Sequence, residues 1–536
     1  MMFKVPPFRA RTVWVFACLL ILGLGRIDAA MAHAPGPDRP AAVRGEIFYQ
    51  VFVRSFRDSN GDRIGDLDGL RQGIGYIEQL GVTAILLTPV QPSPFYHNYF
   101  ASDFEGVAPE YGGEKAWFAF LRAAHEHGLK VYMDLEFQYV ASGHPWLTSA
   151  WHNPASPYRD RLFWSETAGG GPGSAETADP LASVFGLYVT AADGSSQLIT
   201  PVNLDNPATR DFFRQYLLRW ADPHGDGSGR DGVDGYRIDH MMDDLDNMHR
   251  ATNLLEGFWK PLIADVKARR PGIRFIGEQW DWSYGTDYLT RGTADMVFAF
   301  PLRDAVVRLD KQSILDVARA TAAATPAGKS QVLFLENHDT DRLMSVLGDD
   351  PAKARAAAAI MLVLQGEPLI FDGQEIGLRG RKGPADNTDA PDIARREAFR
   401  WQADLDAAGS ATWYRSIPRA WDRRANRSKD GVSVEEQQNT PRSMLEWYRQ
   451  LVALRRTRPE ISVGTQSFPC AAASPVLCVL RESGTGRVLL LVNLSGAPAL
   501  PTFDAGAGVE GLALLIGQGD AHSGLGPYET RILGTR

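Results

Sequence analysis

The sequence predicts an α/β protein, a (β/α)8 (TIM) barrel that carries an inserted loop-rich domain and a C-terminal antiparallel β domain. Two observations predict the barrel: eight apolar, strand-like runs lie between residues 47 and 375, and amphipathic helical stretches lie between them. Strands that are apolar throughout and alternate with helices are typical of a parallel sheet covered on both faces. Eight such strands are the number that closes this type of barrel.

The elements follow one another in a regular order. The predicted strands are residues 47–53, 82–89, 129–136, 233–240, 274–280, 294–300, 331–339 and 367–375. Helical patterns of period 3.6 occupy residues 114–127, 206–221, 313–325 and 351–365. The connection from Gln138 to Val202 is too long for an ordinary barrel loop and is rich in Gly, Ser, Pro and Trp. We therefore expect an inserted domain at 138–202, after the third strand, between barrel parts 45–137 and 203–460.

After the helical pattern at residues 441–458 the sequence changes character. Residues 476–481, 487–494, 511–516 and 529–533 are short β-type runs with turn residues between them, which predicts a small antiparallel β domain over 461–536. Cys470 and Cys478 lie in two short strand-like segments joined by a turn. Two interpretations are open for them, a disulfide in an oxidising compartment or a pair of buried free thiols.

The first 32 residues have the pattern of a signal peptide. Lys4, Arg9 and Arg11 precede an apolar run at residues 13–25, and a small-residue cleavage motif ends at Ala32. The apolar run is shorter than the ~20 residues that span a bilayer, so a membrane anchor is the weaker alternative. A Pro-rich linker follows at 33–44. We therefore expect an exported protein, secreted or periplasmic, without membrane association after the signal is removed.

The charge of the chain excludes some classes of partner. It has 56 basic and 64 acidic residues, a net charge of -8, and no long run of Lys and Arg. Nucleic acid and anionic membrane surfaces attract basic proteins, so neither is an expected partner.

Polar groups are concentrated at the C-terminal ends of four predicted strands. These groups are Asp134 and the segments 235–240, 276–280 and 335–339. The C-terminal strand ends of a barrel meet at one mouth, where active sites lie. A structural ion pair would explain any one of these carboxylates, because a buried charge needs a partner. Four at equivalent strand ends predict a catalytic site.

With these segments in order, the chain from about residue 45 to residue 464 resembles the α-amylase family of glycoside hydrolases (glycoside hydrolase family 13). Residues 52–62, 155–160, 373–377 and 447–455 also resemble family segments. The resemblance implies that the insertion is domain B and that the tail is a β-sandwich. It also implies three catalytic carboxylates and two residues that orient the nucleophile and hold the sugar: Asp239 as nucleophile, Glu278 as general acid/base, Asp339 as third carboxylate, and Arg237 and His338.

The residue types suit the chemistry that this resemblance implies. A retaining glycosidase needs two carboxyl groups about 5–5.5 Å apart, one to attack the anomeric carbon and one to protonate the leaving oxygen. Arg237, two residues before Asp239, would keep the pKa of the nucleophile low. Apolar neighbours such as Phe275 and Trp280 would raise the pKa of Glu278.

The resemblance also indicates residues that bind the substrate. Tyr99 matches a tyrosine that stacks on the sugar, with a core aromatic as the alternative. Phe100 stands where exo-acting α-glucosidases of the family have Asp, and this favours endo action. Asp134 and Tyr139 are further expected contacts, although Gln138 and Tyr139 replace the usual Asn-His pair. The Lys-His pair that usually follows the nucleophile is likewise replaced, by Met242 and Asp243.

An acidic loop near the start of the barrel resembles the divalent-metal loop of the family. Its expected Ca²⁺ ligands are side-chain oxygens at alternate positions and one backbone carbonyl: Asp58, Asn60, Asp62, Asp66 and the carbonyl of Ile64. A solvated acidic turn is the alternative. The pattern is not an EF-hand, because Gly69 stands where that motif has its bidentate Glu.

The resemblance implies hydrolysis of α-1,4-glucosidic bonds in starch, maltodextrins or malto-oligosaccharides with retention of configuration. An α-glucosidase or an α-glucan transglycosylase of the same family is the alternative. A non-catalytic relative is a third possibility, against which the presence of all three carboxylates argues.

Overall fold

A computed structural model describes residues 45–165 and 178–536. The predicted signal peptide and linker, and residues 166–177 within the predicted insertion, lie outside the described residues. In the described ranges, no helix has the length and apolar character needed to cross a bilayer.

Eight parallel strands close into a barrel, which confirms the predicted fold class. They are β1 (Phe48–Val51), β2 (Ala84–Leu87), β3 (Lys130–Leu135), β7 (Gly235–Ile238), β8 (Arg274–Gly277), β9 (Met296–Phe298), β10 (Ser330–Leu333) and β11 (Glu367–Phe371). Each strand pairs with its neighbour in chain order, and β11 closes the barrel against β1 with Phe48 opposite Leu369. All eight lie within, or one residue beyond, the apolar runs that predicted them.

Alternate residues of each strand face the barrel interior or the helices around it. The interior is filled by a cluster of eleven buried residues: Phe48, Ala84, Leu86, Tyr132, Ile276, Met296, Phe298, Phe300, Val332, Phe334 and Leu369. The residues between them, such as Tyr49, Ile85 and Val131, belong to the much larger core that includes the helices. Because both faces of the sheet are buried, the strands are apolar throughout. This is why apolar runs in the sequence predicted the strands.

The helices follow the predicted alternation. Their bounds are Val53–Phe56, Leu67–Leu80, Gly113–Glu126, Pro145–Ala150, Pro207–Ala221, Lys260–Arg269, Thr286–Thr290, Phe300–Val307, Lys311–Ala324, Leu343–Val346, Pro351–Val363, Pro418–Asp422, Val434–Gln437, Met444–Thr457 and Pro459–Val463. Short 3-10 or π turns occupy Pro109–Tyr111, Arg159–Arg161, Leu245–Asn247, Leu255–Trp259, Gln374–Ile376, Ala390–Arg395 and Trp413–Ser416.

Capping side chains fix where several of these helices begin. Asp66 accepts a hydrogen bond from the amide of Gly69, and Asn206 accepts bonds from the amides of Ala208 and Thr209. Such caps satisfy amide groups that the first turn of a helix leaves without partners, and each contributes about 1 kcal/mol. Asp350 does the same for the helix Pro351–Val363.

The insertion contains a three-stranded antiparallel sheet made of β4 (Tyr139–Ala141), β5 (Tyr188–Thr190) and β6 (Ser196–Pro201). Strand β4 begins four residues after β3 ends, so the insertion leaves the barrel at the C-terminal end of that strand. A bridge between Thr190 and Thr388 connects it to the loop after β11. The insertion therefore joins the same end of the barrel that carries the predicted catalytic groups.

The C-terminal residues form one antiparallel sheet of five strands in the order β12-β13-β14-β16-β15. The strands are β12 (Thr465–Ser467), β13 (Val476–Ser483), β14 (Gly486–Asn493), β15 (Ala513–Ile516) and β16 (Thr530–Gly534). One face joins the main core through residues such as Leu477 and Leu490. Loop residues cover the other face, where isolated bridges such as Ala499 to Leu525 form a second layer.

Of the two interpretations for the cysteines, the structure has the disulfide. Cys470 and Cys478 are bonded, with their Cα atoms 5.3 Å apart. Both are buried on the outer face of the C-terminal sheet. A disulfide of this kind is typical of proteins that fold in an oxidising compartment.

Candidate active site

The predicted catalytic carboxylates meet at the C-terminal mouth of the barrel. Asp134 is the fifth residue of β3, Asp239 directly follows β7 and Glu278 directly follows β8. Asp339 lies on the loop after β10. Strands β3, β7 and β8 are adjacent in the barrel, so their ends bring the first three side chains together.

Arg237 is the residue that connects these carboxylates. Its Nη1 atom lies 2.8 and 3.0 Å from the two carboxylate oxygens of Asp134, and 2.6 Å from Oδ1 of Asp239. Its Nη2 atom lies 2.7 Å from Oε2 of Glu278. The guanidinium is only 1% exposed, so these ion pairs are shielded from water. One buried cation therefore fixes three carboxylates at defined distances from one another.

Asp239 and Glu278 are as close as a double displacement requires. A carboxylate oxygen of each, together with a ring nitrogen of His240, lie within 4.8 Å of one another. Retaining glycosidases hold their two carboxyl groups about 5–5.5 Å apart, whereas inverting enzymes leave about 6.5–9.5 Å for a water molecule. The arrangement fits direct attack by one carboxylate on a bond that the other protonates.

The surroundings move the pKa values of these two groups in opposite directions. Burial raises the pKa of Glu278 to about 8. Burial also acts to raise the pKa of Asp239, but the positive charges of His240 and Arg237 outweigh it, and that pKa is lowered. Near neutral pH, Glu278 is a protonated acid and Asp239 an anion, which is how paired carboxyl groups divide acid and nucleophile roles.

Asp339 is held as an anion by its contacts with His338 and Arg396. Its Oδ2 lies 2.9 Å from Nε2 of His338, and its Oδ1 accepts a hydrogen bond from Nη2 of Arg396 at 2.9 Å. Burial would raise the pKa of Asp339, but His338 and Arg396 lower it to well below its usual range. Because the side chain of Asp339 is still 36% exposed, it faces the open mouth.

Tyr99 and His338 form the other wall of the site. The hydroxyl of Tyr99 donates to Oδ2 of Asp134 at 2.7 Å and lies 2.6 Å from Nε2 of His338. The two rings stack with centroids 5.3 Å apart and 9° between their planes. Nδ1 of His338 lies 3.2 Å from Nε2 of Gln50 on β1. Tyr99 is therefore bonded into the carboxylate network.

Tyr139 and Phe100 lie farther out, in an aromatic group with Phe185 of the insertion. The ring of Phe100 is 5.7 Å from that of Tyr139 and 5.4 Å from that of Phe185. The hydroxyl of Tyr139 donates to Asp246, which also accepts the amide of Val184 at 3.2 Å. The hydroxyl of Tyr139 is therefore hydrogen-bonded to the loop after β7. A contact between this hydroxyl and the sugar stays a prediction.

Three residues of the site were not given a role from the sequence. His240 stands beside both carboxylates, and its place directly after Asp239 was a signal that could have found it. Gln138 fixes the same segment, because its Nε2 donates to the carbonyl oxygens of Asp239, at 3.0 Å, and of His240. Arg396 has no local sequence signal, since it reaches Asp339 from 57 residues further along the chain.

The predicted metal loop is ordered by its own side chains. Asp58 accepts the amides of Asn60, Gly61 and Arg63 at 2.7–3.0 Å. Asn60 accepts the amide of Asp62, and Asp62 accepts that of Ile64. Asp66 accepts the amides of Ser59 and Gly69. Within the described ranges the carboxylates of Asp58, Asp62 and Asp66 do not all lie within 4.8 Å of one another.

Comparison with known proteins agrees with this geometry. Residues 50–464 match the family model of the alpha-amylase catalytic domain. The chain is 30% identical over 459 residues to alpha-amylase 3 of Dictyoglomus thermophilum, with 84% of each chain covered. It is 29% identical over 467 residues to a 4-alpha-glucanotransferase of Thermotoga neapolitana, covering 84% of this chain and 96% of that one.

The fold has solved counterparts as well. The crystal structure of an alpha-amylase from H. orenii superposes with a TM-score of 0.73 at 26% identity, covering 92% of this chain and all of that one. The family model alone spans more than three quarters of the chain, and it contains every residue of the mouth described above. This chain belongs to the α-amylase family of glycoside hydrolases.

Proposed function

We propose that the protein hydrolyses α-1,4-glucosidic bonds of starch, maltodextrins or malto-oligosaccharides, with retention of the anomeric configuration. The observation that carries the proposal is the Asp239–Glu278 pair. Its oxygens are within 4.8 Å of each other, Arg237 contacts both groups, and burial and charge separate their pKa values. An alpha-amylase among the relatives supports the choice of substrate.

In the first step, Glu278 gives its proton to the oxygen of the leaving sugar while Asp239 attacks the anomeric carbon. The glycosidic bond breaks and an ester forms between the sugar and Asp239. Arg237 holds Oδ1 of Asp239 at 2.6 Å, so Oδ2 is the oxygen directed to attack. In the second step, the Glu278 carboxylate takes a proton from water, which attacks the same carbon and releases Asp239.

The third carboxylate, Asp339, stabilises the sugar in the transition states of these steps. Asp339, kept ionised by His338 and Arg396, would bind ring hydroxyls and favour the distorted ring of the oxocarbenium-like transition state. Tyr99, Phe100, Asp134 and Tyr139 are proposed to line the subsite of the cleaved sugar.

A second candidate function is transfer of the sugar to another glucan. The same ester can react with a sugar hydroxyl in place of water, and one relative is a 4-alpha-glucanotransferase. Product analysis after incubation with maltoheptaose separates the two functions, because hydrolysis shortens chains and transfer also lengthens some of them.

Calcium and export are further parts of the proposal. The loop at 58–66 offers the hard oxygen donors that Ca²⁺ takes, and the ion would draw these donors together from their present bonds to backbone amides. Asp58, Asn60, Asp62, Asp66 and the Ile64 carbonyl would hold the ion, which would stabilise the fold and take no part in the reaction. The disulfide supports export to a secreted or periplasmic location.

The first test replaces the proposed acid. Glu278→Gln should lower kcat/KM for maltoheptaose by about 10²–10⁴-fold, because the amide cannot protonate a poor leaving group. An α-glucosyl fluoride needs no such proton, so its loss should be much smaller. Glu336→Gln is the matched control, because this buried glutamate pairs with Arg342 and not with the site. Equal losses on both substrates for Glu278→Gln would assign Glu278 a structural role.

The second test reads the stereochemistry. Early products from maltoheptaose should be α-anomers when followed by NMR before mutarotation, since two displacements at one carbon restore its configuration. Asp239→Asn should lose activity by orders of magnitude, because an amide does not form the glycosyl ester. Asp265→Asn, on an exposed helix position, is expected to match the wild type. A β-anomer as first product would contradict the mechanism.

The third test is the pH profile of kcat/KM. Glu278 must be protonated to act as acid, so activity should fall as pH rises through its pKa of about 8. Asp239 must be ionised, and because its pKa is lowered, the acid limb should lie below the usual range of an Asp carboxyl. Initial rates across pH, with enzyme first checked for stability at each value, provide the measurement. A rate that stays constant well above pH 8 would show that Glu278 is not the acid.

The fourth test removes calcium. A chelator should lower the melting temperature and added Ca²⁺ should restore it, since an ion that binds only the folded state stabilises it by about 2.7 kcal/mol at one hundred times its Kd. Asp62→Ala should melt at the lower temperature with or without chelator. Asp226→Ala, which loses a similar aspartate–backbone bond in another exposed loop, should keep the response to chelator. A wild-type melting curve that chelator leaves unmoved would argue against the site.

A further inference from the structure

His240 has an unusual backbone conformation beside the two reacting carboxylates. Its φ is 39°, in the left-handed region that residues with a side chain rarely adopt. Its amide donates to Oε2 of Glu278 at 3.2 Å, and its carbonyl accepts from Gln138. A strained backbone conformation of this kind persists only where surrounding contacts stabilise it. Here the two hydrogen bonds keep His240 at the mouth of the barrel.

The imidazole of His240 completes a set of three potential metal ligands. One of its ring nitrogens and one oxygen each of Asp239 and Glu278 lie within 4.8 Å of one another, and no other group of three His, Cys, Asp or Glu residues in 45–165 and 178–536 does so. Arg237 contacts Oδ1 of Asp239 and Oε2 of Glu278. Oδ2 and Oε1 therefore stand outside these ion pairs.

The chemistry of this set distinguishes it from the calcium loop. One imidazole with two carboxylates, and a fourth position open to water, is a donor set that Zn²⁺ takes with bonds of about 2.0–2.2 Å. Ca²⁺ takes six to eight oxygens, so the ring nitrogen selects a transition ion instead.

The mouth contains more acidic side chains than guanidinium groups. Four carboxyl groups, those of Asp134, Asp239, Glu278 and Asp339, face two guanidinium groups, those of Arg237 and Arg396. Asp134, Asp239 and Glu278 are shielded from bulk water, where charges interact strongly, whereas Asp339 is partly exposed at the opening.

We propose that the mouth binds one Zn²⁺ ion, or a similar transition-metal ion, through Asp239, His240 and Glu278 in the substrate-free enzyme, and that this ion inhibits the enzyme. The ion uses the carboxylates that the reaction needs, so metal and substrate exclude each other. The site is an inhibitory one and separate from the predicted calcium loop at 58–66.

Cobalt binding tests the site without any turnover. Co²⁺ titrated into the calcium-loaded full-length protein should give the visible absorption of a four-coordinate site with one equivalent bound. His240→Ala should weaken this binding by at least about tenfold, since even residues behind the ligands of a metal contribute that much. His249→Ala is the matched control, because that histidine is 84% exposed and pairs with Asp244 at 2.6 Å. The control should bind as the wild type does.

Zinc inhibition is the second readout. Each variant's rate is compared with its own metal-free rate, so a lower basal rate does not affect the result. Zn²⁺ should inhibit the wild type and His249→Ala alike, higher maltoheptaose concentrations should relieve the inhibition, and His240→Ala should need at least about tenfold more Zn²⁺. Asp62→Ala should keep the wild-type cobalt spectrum. An unchanged spectrum in His240→Ala, or equal zinc inhibition of that variant, would overturn the proposal whether or not the proposed reaction holds.

Discussion

The buried guanidinium of Arg237 is the constraint on which the site depends. Three carboxylates from neighbouring strands would repel one another in a space closed to water, and a lone buried charge costs several kcal/mol. Arg237 contacts all three and satisfies them at once. Because its position on β7 is set by the register with Asp134 on β3 and Ile276 on β8, the spacing of the reacting groups is a property of the barrel itself.

The same contact explains why two carboxyl groups so close together differ in proton affinity. Asp239 gives one oxygen to Arg237 and lies next to His240, and these positive charges favour its ionised form. Glu278 is more deeply buried, with 3% of its surface exposed against 9% for Asp239, so loss of hydration dominates. Positive charge stabilises the ionised form of Asp239, and burial stabilises the neutral form of Glu278. The fold produces both effects within a few ångströms.

Much of this could be predicted from the sequence, for definable reasons. The strands are buried on both faces, so their apolar runs marked them well, and polar residues at their ends marked Asp134, Asp239 and Glu278. Arg396 could not be predicted in this way, because its contact with Asp339 depends on how a long loop after β11 folds back. The hydroxyl of Tyr139 was likewise unpredictable, since its partner Asp246 is 107 residues away.

The single amide of Gln138 has a consequence for how this enzyme could change. It is the residue before the first strand of the insertion, and it bonds the main-chain carbonyls of Asp239 and His240. A bond to main-chain atoms does not depend on which side chains those positions carry. The bonds of Tyr139 and Val184 to Asp246, by contrast, depend on the side chain of Asp246. An insertion transplanted from another protein would need a side-chain donor of similar length at position 138. Without it, the barrel would fold with the new loops but Asp239 would lose its alignment with Glu278.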